Sequence, residues 1–213
     1  DMSDGPQYVE CDQGTEAWYR ARMGIPTASE FKTLLGIKKD ARDKVTRQTY
    51  LRKLAGEILS GMPMESYQSE AMARGKAMEA EARDKYAFLR DVEPTLVGFC
   101  RNGRKGASPD SLIGDVGMLE IKTRAPHILI ELYEKDQFPP GDLAQSMGNL
   151  WVAEREYIDI ACYWPGMPLF VKRAHWDASY IGDLKHAVDQ ANEEIDQIVE
   201  RVRRYGAPRA EAA

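Results

Sequence analysis

The stretch SPDSLIGDVGMLEIKTRAP, from Ser108 to Pro126, alternates apolar and polar residues in the manner of a half-buried β-hairpin. Its IGDVG segment, with two glycines and one aspartate, has the composition of a tight turn. Folding the chain back at this turn brings Asp110, at the end of the first strand, alongside Glu120 in the second strand. Lys122 lies two residues further along. The pattern therefore predicts a hairpin in which two carboxylates and one lysine meet.

The second strand of this hairpin has one charged face and one apolar face. Glu120 and Lys122 are two residues apart and point the same way, whereas Leu119 and Ile121 are expected to face the core. Mg²⁺ prefers carboxylate oxygens and is usually held by one or two of them together with waters and substrate phosphate. A lysine beside such an ion suits phosphodiester hydrolysis, because it can orient or deprotonate water and stabilise negative charge on phosphate. A surface salt bridge between Glu120 and Lys122 is the alternative interpretation of these two residues alone.

The composition indicates one globular domain. The chain has 213 residues, of which 43% are hydrophobic and 30% are charged, and we predict a single domain over 1–213 with a frayed tail at about 207–213. No run of about 18 apolar residues occurs, and the N-terminal residues lack the basic-then-apolar order of a secretory signal. We therefore expect a cytoplasmic protein without a membrane partner.

Charge and cysteine usage exclude some classes of protein. Cys11, Cys100 and Cys162 lie far apart without a CxxC pair, which argues against a disulfide framework and against a zinc or iron–sulfur site. The net charge of −5 argues against a surface that binds nucleic acid throughout. A local basic channel remains compatible with this charge.

Hydrophobic periodicity divides the chain into a helical first part and a mixed second part. The first ninety residues are predicted to be mostly helical, with a capping box at Thr27 and Glu30 and a helix stop at Gly36. Short alternating or β-branched segments separated by glycine follow. The order predicts an α/β fold with helices on the faces of a sheet. Helices are expected at 15–24, 27–36, 45–61, 68–91, 125–137, 141–156 and 179–206, and strands at 95–100, 105–110, 112–115, 117–123, 157–165 and 168–176.

Four motifs occur in an order that resembles a known family. They are RMGIPTASEF, RGKAMEAEAR, SPDSLIG with GMLEIKTRAP, and DLAQSMGNLWVAERE. Pro109-Asp110 followed by the EIK triplet at 120–122 resembles the Pro-Asp…(Asp/Glu)-x-Lys motif of metal-dependent nucleases. Together the motifs resemble the lambda-exonuclease-type (YqaJ-like viral recombinase) nucleases, from about Trp18 to about Trp164. The resemblance implies a central mixed β-sheet flanked by helices, with a restriction-endonuclease-like (PD-(D/E)xK) core.

The resemblance also implies a catalytic centre. Asp110 and Glu120 match the family's metal ligands, with the main-chain carbonyl of Ile121 as a third, and Lys122 matches the catalytic lysine. The implied cofactor is Mg²⁺, for which Mn²⁺ is expected to substitute, with two ions bound.

Further matches lie on the predicted helices. Glu79 matches a helical glutamate that helps to hold a second ion and the attacking water. A register two residues later would assign that role to Glu81. Gln145 matches an active-site glutamine. Arg22 and Ser29 match residues that form a pocket for a terminal 5′-phosphate, which a helix beginning near Thr27 would support with unpaired N–H groups and its dipole.

The chain departs from the family pattern near the catalytic strand. Ser111 stands where the family often has glycine after Pro-Asp, and the segment after the lysine is less regular than the family's turn. Substrate contacts near Thr123 and Arg124 are therefore left open.

The function implied by the resemblance is a Mg²⁺-dependent 5′→3′ exonuclease that acts on double-stranded DNA ends. It would release mononucleotides and leave a 3′ single strand for annealing-type recombination. A homotrimeric ring around the duplex, a single-strand annealing protein as partner, and a phage or prophage origin are also implied. The alternatives are a related endonuclease or single-strand nuclease, and a catalytically silent DNA-clamp scaffold.

Overall fold

A computed structural model describes residues 5–35, 41–64 and 70–205 of the chain. The predicted helix stop at Gly36 and the predicted frayed tail lie outside these residues. Among the described residues the helices are α1 (Glu16–Ala21), α2 (Phe31–Leu34), α3 (Ala41–Ser60), α4 (Glu70–Arg90), α5 (Pro126–Lys135), α6 (Leu143–Ala153) and α7 (Ala178–Arg204), with short 3₁₀ helices at Ala28–Glu30 and Pro140–Asp142. The strands are β1 (Gln7–Val9), β2 (Phe99–Asn102), β3 (Lys105–Ala107), β4 (Ser111–Ile113), β5 (Gly117–Thr123), β6 (Tyr157–Tyr163) and β7 (Phe170–His175).

The larger sheet is mixed and has the strand order β4-β5-β6-β7. Strands β4 and β5 form a hairpin as predicted, with Ser111 opposite Leu119. Asp110 lies just before β4 instead of at the end of a strand, so that part of the prediction is wrong. Strand β5 then pairs in parallel with β6, and β6 pairs antiparallel with β7. The predicted mixed sheet flanked by helices is confirmed.

Both faces of strand β5 are covered. On one face Leu119 and Ile121 pack with Ala82 and Tyr86 of α4, so these two residues face a core as predicted. On the other face Met118 belongs to the main core, which includes residues of α3, α6 and α7. The expectation of a half-buried hairpin is therefore wrong for β5, because helix α4 covers one face of this strand and the main core covers the other.

A buried polar group fixes helix α4 against the sheet. Asp159 of β6 has no exposed surface and accepts a hydrogen bond of 2.7 Å from the hydroxyl of Tyr86. Arg173 of β7 donates two hydrogen bonds, of 2.8 and 2.9 Å, to the same carboxylate. The negative charge is thus satisfied within the core, and α4 is held in a defined position on the sheet.

A second, antiparallel sheet has the order β1-β2-β3. Strand β1 was not predicted, because three residues at the N-terminus give too short a pattern to recognise. The segment predicted as a strand at 95–100 contributes to β2 only from Phe99. Thr27 forms a parallel bridge with Gly106 of β3, so this small sheet supports the chain just before the first 3₁₀ helix.

The predicted helix at 27–36 is largely wrong. The described part of that segment forms a 3₁₀ helix, Ala28–Glu30, and then the four-residue helix α2. The side chain of Thr27 makes no capping bond, because it is used in a contact with Arg22. Along the described ranges, no helix combines the length and apolar character needed to cross a membrane.

Helix α6 approaches this 3₁₀ helix closely at Gly148. A Cβ atom placed on Gly148 would lie 2.5 Å from Cδ2 of Phe31 and 3.0 Å from Cβ of Ala28. Both neighbours are completely buried, so neither can move easily. Only glycine allows this contact between α6 and the segment that follows Thr27.

We predict that Gly148→Ala destabilises the protein by about 1–3 kcal/mol, because an added methyl group overpacks a buried contact. Thermal unfolding should show a midpoint several degrees lower. Gly182→Ala in α7 is the matched control, since a Cβ there meets nothing within 4 Å. The control should be neutral or stabilising by about 0.5–1 kcal/mol. Equal midpoints for the two variants would contradict the close contact.

A buried carboxylate and lysine site at the sheet edge

Asp110 ends the pairing of β4 with β5. Its N–H donates to the carbonyl of Leu119 at 3.1 Å, and its Oδ2 accepts a 2.6 Å hydrogen bond from the N–H of Ile121. The carboxylate of Asp110 thus accepts the hydrogen bond that a main-chain carbonyl would accept if the pairing of the two strands continued. Because the N–H and C=O of one strand residue point to the same edge, the carbonyl of Ile121 faces the side on which Asp110 lies.

Two residues distant in sequence hold the segment before Asp110. The side-chain amide of Gln13 donates to the carbonyls of Val97 and Pro109, at 3.0 Å each. The indole N–H of Trp18 donates to Oγ of Ser108 at 2.8 Å. Neither contact was predicted, since nothing in the local sequence pairs these segments.

Glu120 has a hydrogen-bond donor on each carboxylate oxygen. Oε1 accepts from the amide of Gln145 and lies within 2.9 Å of Nζ of Lys122. Oε2 accepts from the amide of Asn149 at 3.1 Å. Lys122 also donates to Oε1 of Gln145 at 2.8 Å. The structure therefore brings together Glu120, Lys122 and Gln145, as the sequence analysis expected.

Asn149 is a member of this site that the sequence analysis missed. It is fully buried and lies four residues after Gln145, on the same face of α6. Residues four apart on a helix are neighbours, so the Gln145 assignment itself contained the signal that could have identified Asn149.

Burial and the mutual attraction or repulsion of charges shift the pKa values of Asp110, Glu120 and Lys122. Burial, followed by the negative charges of Glu120 and Glu79, raises the pKa of Asp110 well above its usual value. Burial also raises the pKa of Glu120 in spite of the nearby ammonium of Lys122. For Lys122 burial acts to lower the pKa, but the attraction of Glu120 and Asp110 outweighs it and the pKa is raised. Lys122 is thus held as an ammonium, while the two carboxylates are destabilised as anions.

Glu79 of α4 faces this site, whereas Glu81 does not. The negative charge of Glu79 contributes to the raised pKa of both Asp110 and Glu120. Its Oε1 accepts a 2.6 Å hydrogen bond from Arg83. The side chain of Glu81 is 53% exposed and pairs with Lys85 at 3.5 Å. The geometry favours Glu79 as the helical carboxylate of the site.

Arg22 and Ser29 meet at Thr27. Nη2 of Arg22 donates to Oγ1 of Thr27 at 3.2 Å, and that oxygen lies 3.5 Å from Oγ of Ser29. The guanidinium stacks 4.0 Å from the ring centre of Trp18. Arg22 and Thr27 also line a cavity of about 310 Å³ beside α3. The predicted helix dipole is wrong, because a 3₁₀ turn and the four-residue α2 replace the expected helix.

The donor set consists of oxygen atoms and so fits a hard divalent cation such as Mg²⁺ or Mn²⁺ better than a metal that prefers nitrogen or sulfur ligands. Over the described ranges, no three His, Cys, Asp or Glu side chains gather closely enough to hold an ion by themselves. Asp110 and Glu120 supply two buried carboxylates, and the carbonyl of Ile121 faces the same side. One or two carboxylates completed by waters and substrate phosphate are typical of Mg²⁺. The two carboxylates are destabilised as anions, so a cation beside them is electrostatically favoured.

The fold and the site together define a class. A mixed sheet whose central strand carries Glu-x-Lys, next to a strand that begins after Pro-Asp, is the restriction-endonuclease-like, or PD-(D/E)xK, fold. Residues 17–156 match the YqaJ-like viral recombinase domain. The chain belongs to this family, as the order of its motifs predicted.

Comparison with solved structures agrees with this assignment. The chain is similar to LHK-Exo in complex with dAMP, with 28% identity, a TM-score of 0.80, and coverage of 91% of this chain and 98% of that chain. It is similarly related to LHK-Exo described as an alkaline exonuclease from Laribacter hongkongensis, with 28% identity and a TM-score of 0.79 over the same shares of both chains. A phage-related exonuclease from Haemophilus somnus 129PT shares the fold at 15% identity, with a TM-score of 0.62 over 84% of this chain and 96% of that chain. A comparison with curated protein sequences finds no match.

We predict that Asp110→Asn stabilises the cation-free protein at neutral pH. The pKa of Asp110 is raised in the folded state, so the ionised carboxylate destabilises the fold above that pKa and ceases to do so as the pH falls through it. Asparagine keeps an acceptor for the N–H of Ile121 without the charge. Thermal unfolding in EDTA should show a midpoint about 2–4 °C higher per kcal/mol gained, and the gain should shrink on acidification.

Asp196→Asn is the control for this prediction. Its side chain pairs with Arg104, which lowers the pKa of Asp196, so its removal should not stabilise the protein at neutral pH. A lower midpoint for Asp110→Asn than for the unmodified chain at neutral pH would show that the buried charge is not a source of instability.

Proposed function

We propose that this protein is a Mg²⁺-dependent 5′→3′ exonuclease that acts on double-stranded DNA ends and leaves a 3′ single strand for annealing-type recombination. The observation that carries the proposal is the contact among Glu120, Lys122 and Gln145, next to the buried carboxylate of Asp110, which bonds the N–H of Ile121 on the same strand. Membership of the YqaJ-like family supports it. The likeness to LHK-Exo, an alkaline exonuclease, supports it further.

The residues of the site divide into ion-holding and charge-stabilising groups. Asp110, Glu120 and the carbonyl of Ile121 would hold the cation, and Glu79 would contribute to a second ion. When bound, Mg²⁺ would stabilise negative charge on the scissile phosphate and acidify a water molecule. Mn²⁺ is expected to substitute for it.

Lys122 and Gln145 act beside the carboxylates. The raised pKa keeps Lys122 protonated, so it would donate to the phosphate or the attacking water rather than remove a proton. Gln145 contacts both Lys122 and Glu120 and would hold the ammonium and the carboxylate in fixed positions relative to each other. Preorganised donors of this kind are effective because they need not reorient during the reaction.

The contact of Arg22, Thr27 and Ser29 would select the strand end. A guanidinium and two hydroxyl groups are good donors for a terminal phosphate. Trp18 supports the face of the guanidinium and also bonds Ser108, two residues before Asp110. A 5′-phosphate bound here would place its strand toward the carboxylates, which would give 5′→3′ polarity.

The proposal extends to assembly and location. A homotrimeric ring around the duplex would allow a protein with a net charge of −5 to bind DNA, because positive charge is needed only along the channel. The partner would be a single-strand annealing protein, and the setting would be the cytoplasm of a bacterial host that carries a phage or prophage.

We expect Lys122→Ala and Glu120→Gln each to reduce digestion of a 5′-phosphorylated linear duplex in Mg²⁺ by about 10²- to 10⁴-fold. The double variant should be little slower than either single variant, because residues that act as a unit are non-additive. Release of mononucleotides is the measurement. Lys135→Ala is the control, because this lysine forms an exposed pair with Glu131.

Three outcomes would contradict the function or part of it. Near-normal digestion by Lys122→Ala would remove the lysine from the reaction. Cleavage of a circular plasmid would indicate the related endonuclease. DNA binding by the unmodified protein without hydrolysis in Mg²⁺ or Mn²⁺ would indicate the clamp scaffold.

We also expect the unmodified protein to digest a 5′-phosphorylated duplex faster than its 5′-hydroxyl counterpart. Charge-assisted hydrogen bonds contribute about 1.5–3 kcal/mol each, which corresponds to roughly ten- to hundred-fold. Arg22→Ala should abolish most of this preference. Arg20→Ala, which removes an exposed pair with Glu16, should keep it. Equal rates on both ends would refute the phosphate site, and digestion from the 3′ end would overturn the polarity.

A further inference from the structure

The serine that departs from the family pattern has a defined partner. Ser111 is fully buried, and its hydroxyl donates to the carbonyl of Asp110 at 2.6 Å. Its oxygen accepts a 2.8 Å hydrogen bond from Nε of Arg83 in α4. A glycine at this position could make neither contact. The departure therefore creates a polar connection between strand β4 and helix α4.

Arg83 continues this connection to Glu79. Its Nη2 donates to Oε1 of Glu79 at 2.6 Å and lies 3.4 Å from the carbonyl of Asp110. The side chain of Arg83 is only 14% exposed, whereas that of Glu79 is 32% exposed. One planar guanidinium thus joins a buried hydroxyl, a strand carbonyl and a partly exposed carboxylate, which a single ammonium group could not match.

We propose that Arg83, anchored by Ser111, is a positioning residue that holds the carboxylate of Glu79 toward Asp110 and so strengthens the binding of a second divalent cation. The inference rests on the proposed function for the identity of the cation. It adds two residues, Arg83 and Ser111, to which the resemblance assigns no role.

Two opposing effects decide whether replacing Arg83 raises or lowers the affinity for the second cation. The positive charge of Arg83 repels a cation, but Glu79 at 2.6 Å largely neutralises that charge. Without Arg83, Glu79 would face the anions of Asp110 and Glu120 with no compensating contact, and its partly exposed side chain would turn toward solvent. Loss of the partner of a ligating carboxylate usually weakens metal affinity by about 10- to 100-fold. Losing the orientation of the Glu79 carboxylate therefore outweighs losing the repulsion between Arg83 and the cation, and the net effect is weaker cation binding.

The test is titration calorimetry of the full chain with Mn²⁺, without DNA. Arg83→Met should weaken binding of Mn²⁺ at the lower-affinity site by about 10- to 100-fold. Ser111→Gly, which introduces the residue common in the family, should change the affinity in the same direction. Arg83→Lys should behave like Arg83→Met, because it keeps the charge but cannot bridge Ser111 and Glu79.

The double variant with Ser111→Gly and Arg83→Met completes a double-mutant cycle. Its loss of Mn²⁺ affinity should be smaller than the sum of the two single losses, because both substitutions break one connection. Lys85→Met is the matched control: it removes another ion pair of the same i, i+4 spacing from the same helix and should leave the affinity unchanged.

A second measurement separates positioning from a merely structural effect. The Mg²⁺ concentration for half-maximal digestion should rise in Ser111→Gly, while the rate at saturating Mg²⁺ should recover. Unchanged or tighter Mn²⁺ binding by Arg83→Met, or normal binding by Arg83→Lys, would overturn the inference. If Arg83→Met fails to fold, Ser111→Gly decides in its place. Absence of DNA hydrolysis by the unmodified protein would refute the proposed function instead, since the calorimetry does not depend on turnover.

Discussion

The hydrogen bond from the N–H of Ile121 to the carboxylate of Asp110 is the interaction on which the site depends. A side chain here occupies the position that a main-chain carbonyl would take if β4 continued beside β5. The ladder therefore stops, and the edge of β5 becomes accessible to other groups just where its sequence carries Glu120 and Lys122. Had β4 been two residues longer at its start, main-chain pairing would have closed this edge.

The charges of the site are stabilised from two sides of the sheet. Helix α6 supplies the amides of Gln145 and Asn149 to Glu120, and helix α4 supplies Arg83 to Glu79. Both helices are themselves fixed by buried contacts, α6 at Gly148 and α4 through Tyr86 and its bond to Asp159. Glu120 and Glu79 are thus held by helices that the core fixes in place, and an excess of negative charge remains between them.

Sequence patterns predicted what depends on local periodicity. The alternation around Glu120 and the turn before it were sufficient to place Asp110, Glu120 and Lys122 together, since a tight hairpin leaves little freedom of register. The patterns failed where tertiary contacts outweigh local preference. Thr27 has the spacing of a capping box, yet its hydroxyl bonds Arg22 and the expected helix is replaced by a 3₁₀ turn. The contact between Arg83 and Ser111 joins residues far apart in sequence, and no local pattern contains it.

The close approach at Gly148 connects the contact of Arg22, Thr27 and Ser29 with the site around Glu120. The 3₁₀ segment that carries Ser29 rests on α6 at this glycine, and the next residue of the same helix, Asn149, bonds Glu120. One rigid helix therefore contacts both places, and they cannot shift independently. The distance from the 3₁₀ segment that carries Ser29 to the carboxylate of Glu120 is therefore set by core packing, so a substitution that displaces α6 would disturb both places at once.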